Sequence, residues 1–259
     1  MTANWVSVRW LKVDTVAADQ WPRLHAVLDD AEQARAARFH FERDRLTYIA
    51  AHALGRVLLS RRAGGAPQAW RFETGDHGKP EAVVPAGAPR LRLNLSHTRG
   101  LAAAALTEQH DIGIDVEWLD RKAASMDLAR RFFAPAECDQ LAAVPVEQAD
   151  ATFLAFWTLK EAYVKAIGKG LAQPLDSFAF SLDPLAIRFD ATLADDPARW
   201  LFRQFRPTPG HLMALALRHP TPGAVTVEAR AADVAELCLA AEGKADQPGG
   251  GGGQSQPAP

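Results

Sequence analysis

Asp115 and Glu117 stand two residues apart in Ile112-Gly113-Ile114-Asp115-Val116-Glu117-Trp118, a stretch where a soluble chain ordinarily spends apolar side chains. Ile112, Ile114, Val116 and Trp118 alternate with the rest, and a period of two marks a half-buried strand. Asp115 and Glu117 therefore share the opposite face, about 7 Å apart along it at ~3.4 Å per residue. Carboxylates so placed repel one another, and a hard divalent cation would relieve that repulsion. Gly113, one step earlier on the same face, leaves room for something to approach the backbone. An ordinary strand with an acidic solvent face gives the same pattern.

A second constellation is Trp157, Glu161 and Lys165, spaced i, i+4, i+8 so that they form one stripe on a helix. The plain alternative for Glu161 and Lys165 is an ion pair contributing a few tenths of a kcal/mol. Thr74-Gly75-Asp76-His77-Gly78-Lys79-Pro80 packs two glycines, a lysine and a proline into a tight turn whose backbone can approach a ligand while Lys79 supplies charge. Ser96 beside His97 suggests a nucleophile with its base, but neighbours on a strand point to opposite faces and are not placed as a catalytic couple. Arg35, Arg38, Arg43 and Arg45, with Phe39 and Phe41 between them, form a basic segment that also reads as a solvated helix face.

The elements that position these residues follow from periodicity and punctuation. Residues 4–13 read as a strand. Residues 19–36 read as a helix with Asp19 as cap and Pro22 in its first turn. A long helix from about Asp44 to Arg62 is stopped by Gly64-Gly65. Trp70 to Phe72 is a short strand; Leu91 to Ser96 is another, with Leu91, Leu93 and Leu95 inward and Asn94 and Ser96 on the other face. His97 to Gly100 turns the chain into a strand from Leu101 to Leu106. After the carboxylate strand, Met126 to Glu137 reads as a short amphipathic helix and a Pro-initiated one, and Ala151 to Ile167 as a helix with a broad apolar face.

The chain has 259 residues, 48% of them hydrophobic and 23% charged, which suits one large soluble domain or two modest ones. A formal charge of -2 gives no global attraction to nucleic acid or anionic membrane, so any anion site must be a local cluster. No apolar run reaches the ~18 residues of a membrane span and no leader pattern is present, so a cytoplasmic protein is expected. Cys138 and Cys238 are far apart and imply neither a disulfide framework nor zinc.

The second half repeats the order of the first. Pro174 follows Pro67 by 107 residues, Phe180 follows Phe72 by 108, and Gly210 follows Gly100 by 110. Near-constant offsets argue for two copies of one α+β unit and a cleft at their join. We expect halves at 1–109 and 110–236. A tail at 237–259 is expected to be disordered, because from Lys244 it is rich in Gly, Pro and Gln.

Asn94-Leu95-Ser96-His97, Gly113-Ile114-Asp115-Val116-Glu117 and the block from Phe156 to Leu171, with Trp157, Lys160, Glu161 and Lys165, resemble the signature blocks of the Sfp-type 4′-phosphopantetheinyl transferases. The order and spacing agree over about residues 35–185, Gly78-Lys79-Pro80 included. The resemblance implies that family's α+β pseudo-dimeric fold, with the active site between the halves. It also implies transfer of 4′-phosphopantetheine from coenzyme A to a serine of an apo acyl or peptidyl carrier protein, releasing 3′,5′-ADP.

Carried over residue by residue, the resemblance implies Asp115, Glu117 and Glu161 as holders of Mg²⁺, with Asp115, Glu161 and Lys165 catalytic. It implies Arg43, Lys79, His97 and Lys165 against the phosphates of coenzyme A, and Gly78, Pro80, Asn94 and Ser96 lining its pocket. The chain departs from some relatives at Thr47 and at Asp76-His77, where they carry basic residues, which bears on recognition of the 3′-phosphate. Two other readings stay open: a Mg²⁺-dependent nucleotide pyrophosphate hydrolase, which needs only the carboxylates, and a non-catalytic carrier-binding relative, which would have lost one. Leu119, Met126, Leu128, Phe132 and Phe133 are candidates for a docking surface, and a chain containing both halves is expected to be a monomer.

Overall fold

The alternation that marks residues 112–118 as a strand recurs along the chain, and the computed structural model describes residues 4–74, 80–84, 88–120 and 126–241. The first part runs β1 (Trp5–Lys12), α1 (Trp21–Ala26), α2 (Asp30–Ala36), α3 (Glu42–Ala63), β2 (Arg71–Thr74), β3 (Pro80–Val83), β4 (Leu91–Thr98) and β5 (Leu101–Glu108). The second runs β6 (Ile112–Trp118), α4 (Met126–Phe132), α5 (Pro135–Ala143), α6 (Val146–Ile167), β7 (Phe178–Leu182), β8 (Leu185–Phe189), β9 (Trp200–Thr208) and β10 (His211–Arg218). Last come β11 (Thr226–Ala231) and α7 (Val234–Ala241).

One sheet has the order β11-β1-β5-β4 and another β6-β10-β9, with hairpins β2-β3 and β7-β8 beside them. The order β1-β5-β4 in the first part and β6-β10-β9 in the second is the same arrangement, antiparallel throughout. The two sheets pack face to face. Val6 and Val8 of β1, Leu101, Ala103 and Ala105 of β5, Ile112, Ile114 and Val116 of β6, and Met213, Leu215 and Leu217 of β10 form one buried cluster between them. Strand residues of the opposite parity face outward to helices. Ala102, Ala104 and Leu106 join the cluster under α3, while Leu212, Ala214 and Ala216 join the cluster under α6. Burial on both faces explains why β5 and β10 are continuous apolar runs and do not alternate with polar residues.

α3 begins with Glu42 and Asp44 and ends with Arg61 and Arg62, which suits the helix dipole, and Gly64 at φ 79° closes it. α6 is closed by Gly168 in the left-handed region, whose N–H donates to the Val164 carbonyl. It starts behind Pro145, earlier than the expected Ala151. The expected helix over 19–36 is two helices. The chain breaks at Val27-Leu28 to bury both side chains; Asp29, in extended backbone, caps α2 through a capping box with Glu32, while α1 starts at Trp21 with Gln20, not Asp19, at its N-cap and no side-chain cap bond. The strand expected at Trp70 begins at Arg71, Trp70 turning in to donate its indole N–H to Ser60 Oγ at 3.1 Å.

The C-terminal boundary also differs from expectation. β11 pairs in parallel with β1, on the first sheet, and α7 buries Leu237, Cys238 and Ala240 in the cluster under α3. Residues 237–241, expected in an unstructured tail, are thus helix packed on the N-terminal half. An apolar face at Leu237 and Ala240 has somewhere to go only once α1 and α3 are folded. Lys244 to Pro259, and the turn carrying Gly78 and Lys79, lie outside the described residues.

Candidate active site

A half-buried strand by itself would leave Asp115 on an open face; the structure roofs that face with α6. Gly113 makes this possible. A Cβ there would lie 2.0 Å from the Ala162 carbonyl oxygen and 2.5 Å from the Ala166 nitrogen, so backbone meets backbone. What approaches Gly113 is therefore the chain's own helix. Ala162 and Ala166 supply the matching small surface, and the residues preceding each, Glu161 and Lys165, are brought over Asp115.

Asp115 is only 6% exposed. Its Oδ1 accepts from Lys165 Nζ at 2.6 Å and from Ser96 Oγ at 3.0 Å. Its Oδ2 is buried without a hydrogen-bond partner among the described residues. Lys165 Nζ also donates to Ser96 Oγ at 3.1 Å and to the Ile114 carbonyl at 3.2 Å. The ion pair that helical spacing suggested, Glu161 with Lys165, is not among those of the described residues, because the buried Asp115 draws the ammonium instead. Glu117 and Glu161 are half-buried beside it, and Thr98 donates to Glu117 Oε2 at 3.4 Å. Burial, then the charges of Asp115 and Glu117, push the Glu161 carboxyl above its usual range against the opposing pull of Lys165.

Asn94, Ser96 and Thr98 alternate on the face of β4 turned to β6. β4 and β6 are edge strands of their sheets, and these side chains serve the unpaired backbone between them. The Ile114 N–H donates to Asn94 Oδ1 at 2.8 Å and the Val116 N–H to Ser96 Oγ at 3.2 Å. Thr98 did not stand out in the sequence, although the polar alternation from Asn94 to Thr98 was there to be read.

His97 points the other way, as strand geometry requires. It is open to solvent yet set in a crowded cleft, and that crowding, with His52 and Lys165 nearby, holds its imidazole below the ordinary value. Arg43 stands exposed in the first turn of α3, over the Phe41 ring at 5.3 Å and 3.4 Å from Asp44 Oδ1. No hydrogen bond or ion pair links it to the acidic cluster among the described residues. Thr47 is buried and donates to the Arg43 carbonyl at 2.7 Å, so the helix itself uses its hydroxyl. Pro80 opens β3 opposite Thr74.

Trp157 belongs to an aromatic layer, 6.0 Å from Phe132 and 6.1 Å from Phe153 between ring centroids. Lys160 faces the other way from Glu161, fully buried against Glu137 at 2.8 Å and donating to the Leu175 and Phe178 carbonyls. Of the expected docking segment, Phe133 is core, since its ring fills the space beside Phe153 and Phe156. Leu119, Met126, Leu128 and Phe132 are partly buried against the same cluster.

Hard oxygen donors, an orphaned buried carboxylate oxygen and mutual repulsion that raises Glu161 suit a small divalent cation. The three acids are not drawn together into a ready ligand set: no group of three or more acid, imidazole or thiol side chains could hold a metal as placed, among the described residues. Lys165 supplies the positive charge at Asp115 in this arrangement.

Comparison with known proteins agrees with the motif assignment. Residues 111–216 match the profile of the 4′-phosphopantetheinyl transferase superfamily, and residues 15–109 match that of the 4′-phosphopantetheinyl transferase N-terminal region. The 4′-phosphopantetheinyl transferase HetI of Nostoc is 35% identical over 194 residues, 75% of this chain and 80% of its own length. Sfp of Bacillus subtilis is 29% identical over 198 residues, 76% of this chain and 85% of its own. AcpT of Salmonella typhimurium is 34% identical over 157 residues, 61% of this chain and 71% of its own. With both parts of the chain covered by the family's profiles, and with the acidic strand, its roofing helix and their signature residues brought together at one place, this chain belongs to the 4′-phosphopantetheinyl transferase family and is an enzyme of that type.

Proposed function

We propose that this transferase would hold Mg²⁺ on Asp115, Glu117 and Glu161 against the pyrophosphate of coenzyme A, with Lys165 against that pyrophosphate and His97, on the other face of β4, toward the coenzyme's phosphates. A serine of an apo acyl or peptidyl carrier protein attacks the β-phosphorus, the phosphoanhydride bond breaks, and 3′,5′-ADP leaves. The observation that carries this reading is the buried Asp115 Oδ2 without a partner, beside a Glu161 carboxyl raised by burial and two neighbouring carboxylates.

When bound, the cation supplies charge neutralisation at the pyrophosphate, the main requirement of phosphoryl transfer. Lys165, freed from Asp115 to the degree that the carboxylate takes another counter-ion, has three donors for phosphate oxygens. Glu161 sits one helical turn before Lys165, and we assign its carboxylate to accept the serine's proton. Arg43, Lys79 and Pro80, with Gly78 and Asn94, complete the proposed coenzyme pocket. A pyrophosphate hydrolase would need only the carboxylates, whereas this chain also carries the whole block from Trp157 to Lys165.

Both halves lie in one chain, which supports a monomer. No helix among the described residues is long and apolar enough to cross a membrane. Cys138 is unbridged, in keeping with the cytoplasm as the proposed setting. The test is incubation with coenzyme A, Mg²⁺ and an apo carrier protein: the carrier should gain the mass of one phosphopantetheine. No gain on carriers of either class, with the protein folded, would remove the reading.

A further inference from the structure

We propose that Ser96 is a positioning residue for the transfer: its hydroxyl sets the Asp115 carboxylate and the Lys165 ammonium relative to one another across the seam between the two sheets. The proposal rests on the function argued above, and it reassigns a residue that the family resemblance puts in the coenzyme pocket.

A serine hydroxyl has one proton to donate and two lone pairs to accept with. Here all three are used. The proton goes to Asp115 Oδ1 at 3.0 Å, and the lone pairs accept from Lys165 Nζ at 3.1 Å and from the Val116 N–H at 3.2 Å. Nothing remains for a coenzyme phosphate, and the residue is only 7% exposed. The three partners come from β6 and α6, while Ser96 itself comes from β4, so a single oxygen ties the first sheet to a strand and a helix of the second half.

Without Ser96, Lys165 Nζ keeps Asp115 Oδ1 and the Ile114 carbonyl, both on β6, and no contact from the first sheet sets the direction of the carboxylate. The hydroxyl supplies the third point. It also leaves Asp115 Oδ1 doubly engaged and the buried Oδ2 alone without a partner among the described residues, so that one defined oxygen remains for a cation. Asn94, bonded to the Ile114 N–H, keeps the seam closed when Ser96 is changed, and the fold should survive.

The test uses the full chain as wild type, Ser96→Ala and Ser96→Thr. Three quantities are measured: steady-state transfer, coenzyme A binding by calorimetry, and binding of Mn²⁺ alone by electron paramagnetic resonance. Losing hydrogen bonds to charged partners should lower kcat about 10-fold or more and weaken Mn²⁺ about as much, with the coenzyme dissociation constant changed less than about twofold. Ser96→Thr, which keeps the hydroxyl, should restore both. A weaker coenzyme affinity with kcat kept would make Ser96 a coenzyme contact and overturn the proposal, as would unchanged kcat and Mn²⁺ binding, or a folded threonine variant that restores neither. If Ser96→Ala does not fold, Ser96→Cys, similar in shape with weaker hydrogen bonding, must show the same losses. If the wild type transfers nothing, the functional reading falls by itself, and the Mn²⁺ comparison decides Ser96: weakening upholds its placement and equality overturns it.

Discussion

Glu161 is the residue whose two possible duties make opposite demands. As a metal ligand it must stay ionised, so Glu161→Gln should weaken Mg²⁺ binding and extra Mg²⁺ should recover part of the rate. As a base for the carrier serine, the glutamine variant should lose about 10²–10⁴-fold at saturating Mg²⁺ with metal affinity kept. We expect a mixture, lower metal affinity with a residual rate deficit, measured from Mg²⁺ titrations of initial rate. Recovery of the full wild-type rate by Mg²⁺ alone would eliminate the base role.

His97 gives a pH test at the same scale. Crowding, with His52 and Lys165, lowers its folded value below that of a free imidazole, so as pH falls the unfolded chain takes up the proton first. Stability then rises with pH through the window between the lowered value and that of a free imidazole. Melting temperature followed from mildly acid to neutral pH should therefore fall toward acid, and His97→Gln should flatten that part of the slope. An identical slope in the variant would assign the acid sensitivity to other groups.

Among the elements, the contact of α6 with β6 governs the site. Since a Cβ at Gly113 would fall 2.0 Å from the Ala162 carbonyl oxygen, and both atoms are backbone, the helix or the strand must shift. Gly113→Ala should cost about 2–3 kcal/mol by urea denaturation, and any folded fraction should transfer poorly because Lys165 no longer reaches Asp115 and Ser96 together. The neighbouring Lys160–Glu137 pair anchors the same helix from its other side. Burial lowers the Lys160 value and raises that of Glu137, while their mutual attraction and, for Glu137, the N–H groups of Phe180 and Ala134 oppose the shift. Two successive helix residues thus divide the labour, Lys160 fastening α6 to α5 and β7 and Glu161 serving the cleft.

At the scale of the whole molecule, the last described elements close the first half. A chain ended at Val225 loses β11, which covers the edge of β1, and α7, which buries Leu237, Cys238 and Ala240. It also loses the Arg61–Glu236 ion pair at 2.8 Å, a minor term at the surface. Exposure of that apolar cluster and strand edge should lower the melting temperature by about 10 °C or more, or cause aggregation. A chain ended at Gly243 should melt and transfer like the full chain, because Lys244 to Pro259 is rich in Gly, Pro and Gln with no apolar periodicity. A loss in that shorter truncation would show that the tail docks.

Periodicity and punctuation alone determined most of the elements. The alternation over 112–118, the glycines at 64 and 168 and the stripe of Trp157, Glu161 and Lys165 each report local geometry, which depends on neighbours a few residues away. It was the resemblance to the family's signature blocks, and not periodicity, that grouped Asp115, Glu117, Glu161 and Lys165 as one proposed chemical set. What covers a face is a different kind of fact. Alternation says that Asp115 and Glu117 share a side of β6, but whether that side meets water or a helix depends on Gly113 receiving the backbone of Ala162 and Ala166, some fifty residues on. The choice of Asp115 over Glu161 as partner for Lys165, the use of Asn94 and Ser96 to close the seam, and the return of residues 226–241 to the first sheet all rest on long-range contacts. Only the tertiary structure decided these, because a buried polar group takes whichever partner the packing brings within reach.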